Sequence, residues 1–193
     1  GCTNCILSKC IAYKNISPSL APLAVVVDNE GQHLKCENIL ITDCISYDNV
    51  SPGIHVYGIN DNSYMENITI NNCIVYNNGN SDQPYNANLA VRYAENVKII
   101  NCRIYDSAYG IYADANCTIE NCDIDSTITP FTLDGDTIVR NCHVSGQNNA
   151  TLVSGKNEFY NNSFNASISG TFDGIAHLHR CMGNKGLRDL IGK

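Results

Sequence analysis

The chain has 193 residues, of which 16% are charged, and its formal net charge is −7. This length is enough for one domain with a core of its own. An acidic chain without a basic cluster is not expected to bind nucleic acid, and no apolar run reaches the roughly 18 residues of a membrane span.

The first element along the chain is a phrase that recurs, in which a cysteine usually follows an asparagine or aspartate and apolar residues alternate around it. Counted from Cys10, the recurrences are separated by 34, 29, 29, 20, 20 and 20 residues. Repeats of this length indicate a solenoid, in which each repeat packs on its neighbours. The later phrases are Asn38–Cys44, Asn67–Cys73, Asn96–Cys102, Asn116–Cys122, Asp136–Cys142 and Asn157–Asn162.

Each repeat is predicted to contain three short strands. Apolar residues three and usually five positions before the cysteine give the period of two that is typical of a strand. The residue just before the cysteine breaks this phase, and asparagine there tolerates the left-handed backbone of a sharp turn. A second strand follows the cysteine. A third lies about ten residues before it, in segments 110–113, 130–133 and 150–153, with which 89–93 aligns without a gap.

These repeats predict an all-β fold, a right-handed single-stranded parallel β-helix of about seven coils. Equivalent residues on successive coils then lie ~4.8 Å apart, so side chains of one type form ladders. An internal asparagine ladder, which satisfies buried amides cooperatively, is predicted from Asp43, Asn72, Asn101, Asn121, Asn141 and Asn161. An internal stack of small hydrophobic thiols, mostly without disulfides, is predicted from Cys10, Cys44, Cys73, Cys102, Cys122 and Cys142. An aromatic stack is predicted from Tyr13, Tyr47, Tyr76 and Tyr105.

The β-helix is predicted over residues 1–175, and residues 176–193 leave the pattern as a C-terminal tail or capping segment. The end coils of a solenoid need such covering because their edges are open to pairing. Four cysteines, Cys2, Cys5, Cys36 and Cys181, are placed outside the thiol stack. The chain opens inside a repeat-like phrase without a visible cap, so we expect a mature form or part of a longer protein.

The phrase Asn-Ile-x-Ile-x-Asn-Cys-x-Val/Ile-Tyr-x-Asn, spread over residues 4–165, resembles the parallel β-helix repeats of the pectate-lyase-like superfamily. The resemblance implies a polysaccharide partner and a location outside the cell, on its surface or on a virion. The superfamily includes lyases, hydrolases, epimerases and phage tailspikes, so the fold by itself selects no activity. The Trp-Ile-Asp-His phrase of the best-known pectate lyases and the Gly-His-Gly phrase of polygalacturonases are absent.

The resemblance implies a substrate groove over the third strand and the loop before it. Extra residues in the long repeats fall in segments 15–22, 59–66 and 78–86, and long loops on a solenoid usually gather on one side. In the gapless alignment, outward positions on consecutive coils form one column, continued by Thr132 and Leu152. The predicted catalytic residues are Arg92 and His55, and the predicted substrate-binding residues are Tyr112, Tyr85, Asp82 and Tyr64.

One reaction fits these residue types, the β-elimination of an acidic polysaccharide. It needs a base, a positive centre for the charge that develops on the carboxylate, and an acid for the leaving oxygen. Arg92 is a candidate base or carboxylate clamp, and His55 a candidate base or acid. Asp114 and Asp134 stack on adjacent coils, where Ca²⁺, the one predicted cofactor, would offset their repulsion. The ordinary alternative for all four is a solvated surface side chain.

Three functions stay open at this point, and so do the enzyme status of the chain and its oligomeric state. The first is a polysaccharide lyase that acts in the third-strand groove. The second is a non-catalytic carbohydrate-binding or adhesion module of a larger surface protein or phage tailspike. The third is a structural spacer, which the clustering of long loops and aromatic residues argues against.

Overall fold

The computed structural model describes residues 2–17, 23–26, 35–58, 65–79, 84–114, 116–126, 128–146, 150–165, 168–169 and 176–183. These residues form three parallel sheets, and the chain visits each sheet in turn as it winds. The first sheet contains β1 (Cys2–Thr3), β2 (Ile6–Ser8), β5 (Cys36–Thr42), β8 (Met65–Asn71), β11 (Glu95–Ile100), β14 (Cys117–Glu120), β17 (Thr137–Arg140), β20 (Asn157–Tyr160) and β23 (Ala176–His179).

The second and third sheets complete each coil. The second contains β3 (Ile11–Tyr13), β6 (Ile45–Tyr47), β9 (Ile74–Tyr76), β12 (Arg103–Tyr105), β15 (Asp123–Ser126), β18 (His143–Gly146), β21 (Ser163–Asn165) and β24 (Met182–Gly183). The third contains β4 (Leu23–Val26), β7 (Ile54–Tyr57), β10 (Leu89–Arg92), β13 (Tyr109–Ala113), β16 (Thr129–Asp134), β19 (Ala150–Ser154) and β22 (Ile168–Ser169). A 3₁₀ turn at Pro84–Asn86 precedes β10. The predicted right-handed parallel β-helix of about seven coils is confirmed.

The thiol stack forms as predicted and is longer than predicted. Each buried cysteine in it lies at the start of the chain's turn into the second sheet, and its thiol contacts the carbonyl oxygen two residues earlier, as Cys102 does with Ile100 at 3.3 Å. After Cys142 the place is taken by Asn162, whose Oδ1 accepts from the Cys142 amide at 2.9 Å. Cys181 comes next and packs against the core, so its placement outside the stack was wrong.

An asparagine ladder does run inside the β-helix, but its members are not the predicted ones. The predicted residues lie at exposed corners, where a positive φ such as the +52° of Asn72 turns the side chain outward. The buried ladder is formed instead by Asn49, Asn78 and Asn88. The Nδ2 of Asn49 donates to the Oδ1 of Asn78 at 2.7 Å, and the Nδ2 of Asn78 donates to the Oδ1 of Asn88 at 3.0 Å.

The tyrosine stack on the outer face of the second sheet is confirmed. Its ring centroids are 5.2, 5.0 and 4.9 Å apart from one coil to the next, and the rings are within 5° of parallel. The C-terminal boundary differs from the prediction, because β23 and β24 pair with β20 and β21 and carry the sheets on through residue 183. The predicted cap at 184–193 lies outside the described residues.

The register of the third sheet corrects the predicted surface column. Ile111 lies opposite Leu89, not Val91, so the gapless alignment was out by two residues between these coils. Further on, a register shift after Leu133 turns Leu152 inward, where it is 1% exposed, although it was predicted to point outward. The column that contains the predicted histidine therefore consists of Ala24, His55, Ala90, Tyr112, Thr132 and Thr151.

Candidate functional site

The predicted site residues fall on two neighbouring rows of the third sheet rather than on one. His55 and Tyr112 share a row with Ala90 between them, whereas Arg92 lies two residues further along its strand and opposite Tyr57. Tyr85 lies in the 3₁₀ turn that precedes β10. Asp82 and Tyr64 lie outside the described residues.

Arg92 ends β10 and lies within four tyrosine rings, which we call the tyrosine cage. Its guanidinium carbon is 5.0 to 5.9 Å from the ring centroids of Tyr93, Tyr85, Tyr57 and Tyr112. At such distances an arginine is attracted by the negative faces of the rings. The cage thus holds one positive charge in place against a largely apolar wall.

An aspartate from the next coil fixes the orientation of the guanidinium. The Nε of Arg92 donates to the Oδ2 of Asp114 at 3.2 Å, and the side chains are only 23% and 10% exposed. The other oxygen, Oδ1, accepts from the backbone amide of Tyr93 at 2.9 Å. Burial disfavours the charged form of Arg92, but the hydrogen bond and charge of Asp114 outweigh it and raise the pKa. Arg92 therefore stays protonated, which favours a carboxylate clamp over a base.

Tyr112 and Tyr85 are the parts of the cage with hydroxyl groups suited to contact a ligand. Burial, followed by the charge of Asp114, raises the pKa of Tyr112 to about 12, so its phenol stays neutral and able to donate a proton. Tyr85 is 42% exposed, and its ring is the most open surface of the cage. A flat exposed ring next to a fixed cation can contact both the apolar and the charged parts of one ligand.

His55 adjoins the cage through Tyr57, with 5.3 Å between the two ring centroids. Burial, followed by the positive charge of Arg92, lowers its pKa from 6.5 to about 4. Its Nε2 is buried and has no hydrogen-bond partner among the residues that the structure describes. A neutral imidazole with an unused nitrogen can accept a proton, so of the two predicted catalytic residues only His55 is in the right charge state for a base.

The predicted metal ligands are held by other partners. Asp114 binds Arg92 and the amide of Tyr93, as described above. Asp134 accepts from the hydroxyl of Ser154 on the next coil at 2.5 Å. Within the described part of the chain, no three His, Cys, Asp or Glu side chains group as a metal site. A calcium ion at these aspartates stays a prediction.

Two open grooves lie elsewhere, on the outer face of the first sheet over β14, β17 and β20. Their volumes are about 440 and about 490 Å³, and both are lined by Ile138 and Glu158. Neither is lined by a predicted site residue. Glu120 and Arg140 form an ion pair at 2.6 Å in the second groove, and this mixed charge matches no one ligand class.

Sequence reasoning missed two members of the cage, Tyr57 and Tyr93, and the role of Asp114 as the partner of Arg92. The missed signal was an aromatic residue at the end of β7 and another just after β10, which only the correct register brings around one arginine. No helix in the described segments is long and apolar enough to cross a membrane.

The architecture and the Arg92 cluster can be set beside what is known of other proteins. The stacked parallel sheets and the Asn and Cys ladders are those of a parallel β-helix, which supports the resemblance at the level of architecture. Neither the protein-family models, nor the curated proteins, nor the solved structures contain a match to this chain.

Proposed function

We propose that the protein binds an acidic polysaccharide at the tyrosine cage on the third sheet. The observation that carries this proposal is the guanidinium of Arg92, held by Asp114 within four tyrosine rings at the edge of an exposed face. Its bonds to Asp114 and to the Tyr93 hydroxyl use only some of its five N–H donors. The others suit a uronate carboxylate, while the rings supply flat apolar surface for the sugar.

The reaction we propose for a bound uronate is β-elimination. His55 would take the proton on the carbon beside the carboxylate, and the electron pair would form a carbon–carbon double bond as the glycosidic C–O bond breaks. Tyr112 is the candidate donor of the proton that the leaving oxygen needs, and Arg92 would stabilise the charge on the carboxylate. A base of pKa about 4 is weak, so this step depends on Arg92 making the substrate more acidic.

A second candidate, recognition without turnover, is favoured by one observation. Arg92 already has a carboxylate partner in Asp114, and both side chains are mostly buried. A cation fixed in this way suits binding specificity as well as it suits catalysis, because its position is set before the ligand arrives. The protein would then be a carbohydrate-binding or adhesion module.

The experiment combines a turnover assay with a binding assay on the same panel of acidic polysaccharides, with and without calcium. Ultraviolet absorbance detects unsaturated uronate products, and calorimetry detects binding. The variants are Arg92→Ala and the control Arg103→Ala, which removes an exposed arginine that pairs with Asp123 at 3.7 Å and lies over Tyr105. We expect Arg92→Ala to abolish binding and the control to retain it.

The outcomes separate the two candidates. Products that disappear in His55→Gln, with binding kept, support the lyase. Binding without products on any polysaccharide supports the recognition module and refutes β-elimination. Equal binding by the Arg92→Ala and Arg103→Ala variants, or no binding to any member of the panel, would overturn the proposed site.

A further inference from the structure

Two cysteines of the first coil stand apart from the other nine, because their sulfur atoms meet each other. The Sγ atoms of Cys2 and Cys5 are 2.7 Å apart, closer than two non-bonded sulfur atoms normally lie. Between them, Asn4 adopts a φ of +55°, which brings both side chains to the same side of the chain. Backbone hydrogen bonds from Cys2 to Lys35 and from Asn4 to Glu37, both 3.0 Å, hold this turn against β5.

Exposure also sets this pair apart. Cys2 is exposed and Cys5 half-buried, whereas the stacked thiols from Cys44 to Cys142 are buried. Those thiols contact backbone carbonyl oxygens, as Cys122 does with Glu120 at 3.3 Å. Reagents in solution reach only exposed thiols quickly, and buried cysteines behave as inert hydrophobic residues.

We propose that Cys2 and Cys5 form a reversible dithiol–disulfide site, oxidised by a small-molecule disulfide such as oxidised glutathione. A bond of ~2.05 Å requires the two sulfurs to close only a short gap, so the turn is already near the geometry of the product. No ligand or metal is needed, and the site is independent of the tyrosine cage.

The exchange proceeds in two balanced steps. The thiolate of Cys2, the more exposed residue, attacks one sulfur of the external disulfide and displaces a thiolate, which takes up a proton. The thiolate of Cys5 then attacks the Cys2 sulfur of this mixed disulfide and displaces the second thiol. The protein loses two protons and two electrons, and the external disulfide is reduced to two thiols.

The test is to equilibrate the folded chain with glutathione at several ratios of oxidised to reduced form, quench with acid and alkylate the remaining thiols. Trypsin cleavage after Lys9 then releases a peptide of residues 1–9, which contains Cys2 and Cys5 and no other cysteine. At oxidising ratios we expect this peptide to carry no alkyl group and to weigh two hydrogen atoms less than its reduced form. Reducing glutathione should reverse the change.

Three variants make the result specific. Cys2→Ser and Cys5→Ser should each stay fully alkylated at the remaining position, while Cys10→Ser, a change in the same coil, should keep the linked peptide. Circular dichroism of each variant checks that the β-helix is intact. Full alkylation of the wild-type peptide at every ratio would overturn the proposal. A link from Cys2 or Cys5 to Cys36, which lies opposite Cys2 on β5, would overturn it equally.

Discussion

The proposed role of His55 depends on its staying neutral, and this charge state predicts a measurable effect of pH on stability. The pKa of His55 is about 4 in the folded protein, against 6.5 when unperturbed. Between these two values the unfolded chain binds a proton that the folded chain does not. Stability therefore falls as pH drops from about 6.5 to about 4 and changes no further from this residue below that. The lost stability is about 3 kcal/mol, at 1.36 kcal/mol for each pKa unit.

The assay compares wild type with His55→Gln, in which the imidazole is replaced by an amide that does not titrate. Urea unfolding followed by circular dichroism gives the free energy of unfolding of each at several pH values. Carboxylates also titrate in this range, so the difference between the two proteins is the quantity that isolates His55. We expect wild type to lose about 3 kcal/mol more than the variant between about pH 7 and about pH 4.

Arg92 supplies an internal check on the cause of this shift. Burial is the larger cause of the low pKa of His55, and the charge of Arg92 is the second. Arg92→Gln should therefore raise the pKa of His55 only part of the way towards 6.5, as followed by NMR titration of the ring protons. If wild type and His55→Gln lose stability in parallel, or if His55 titrates near 6.5, the imidazole is not in a buried, positively charged setting and our argument for its role fails.

Two further predictions concern the ladders. Asn78→Ala removes the side chain that accepts from the Asn49 amide and donates to the carbonyl of Ser46, and we expect a loss of roughly 2–5 kcal/mol in urea unfolding, because each orphaned buried group costs about 1–3 kcal/mol. Its exposed counterpart Asn72→Gly keeps the left-handed turn and should cost about 1 kcal/mol or less; similar costs for the two would refute the buried ladder. Tyr76→Ala breaks a stack of four rings at its middle and should cost about 2 kcal/mol, whereas a loss near zero would show that the stack adds nothing.

The inner residues of this fold were predictable from the sequence because their spacing repeats. A cysteine at each step of 20 residues packs on the cysteine of the coil before, and no loop intervenes to change that relation. The asparagines before them were correctly placed at turns. They were wrongly placed inside, because a residue in the left-handed conformation at a corner directs its side chain to solvent.

The site was harder to predict because it lies where the repeat is irregular. The coil that carries β10 reaches it through a long loop, and loop length decides the register of the strand that follows. A slip of two residues keeps apolar residues inward, so the hydrophobic pattern cannot detect it. It does change which outward residues are neighbours, and this is why Arg92 lies opposite Tyr57 rather than beside His55.

The backbone at Tyr93 indicates that the cage is more than an accident of surface packing. Tyr93 has a φ of +50° and is the only aromatic residue with a positive φ in the described part of the chain. A bulky residue in this region costs roughly 1–2 kcal/mol. Asp114 offsets the cost by accepting from the Tyr93 amide, and Gly58 makes room, since a side chain there would clash with the Tyr93 carbonyl oxygen. Strain that is held by specific partners concentrates at functional sites, so the residue next to Arg92 is where selection for binding would leave such a mark.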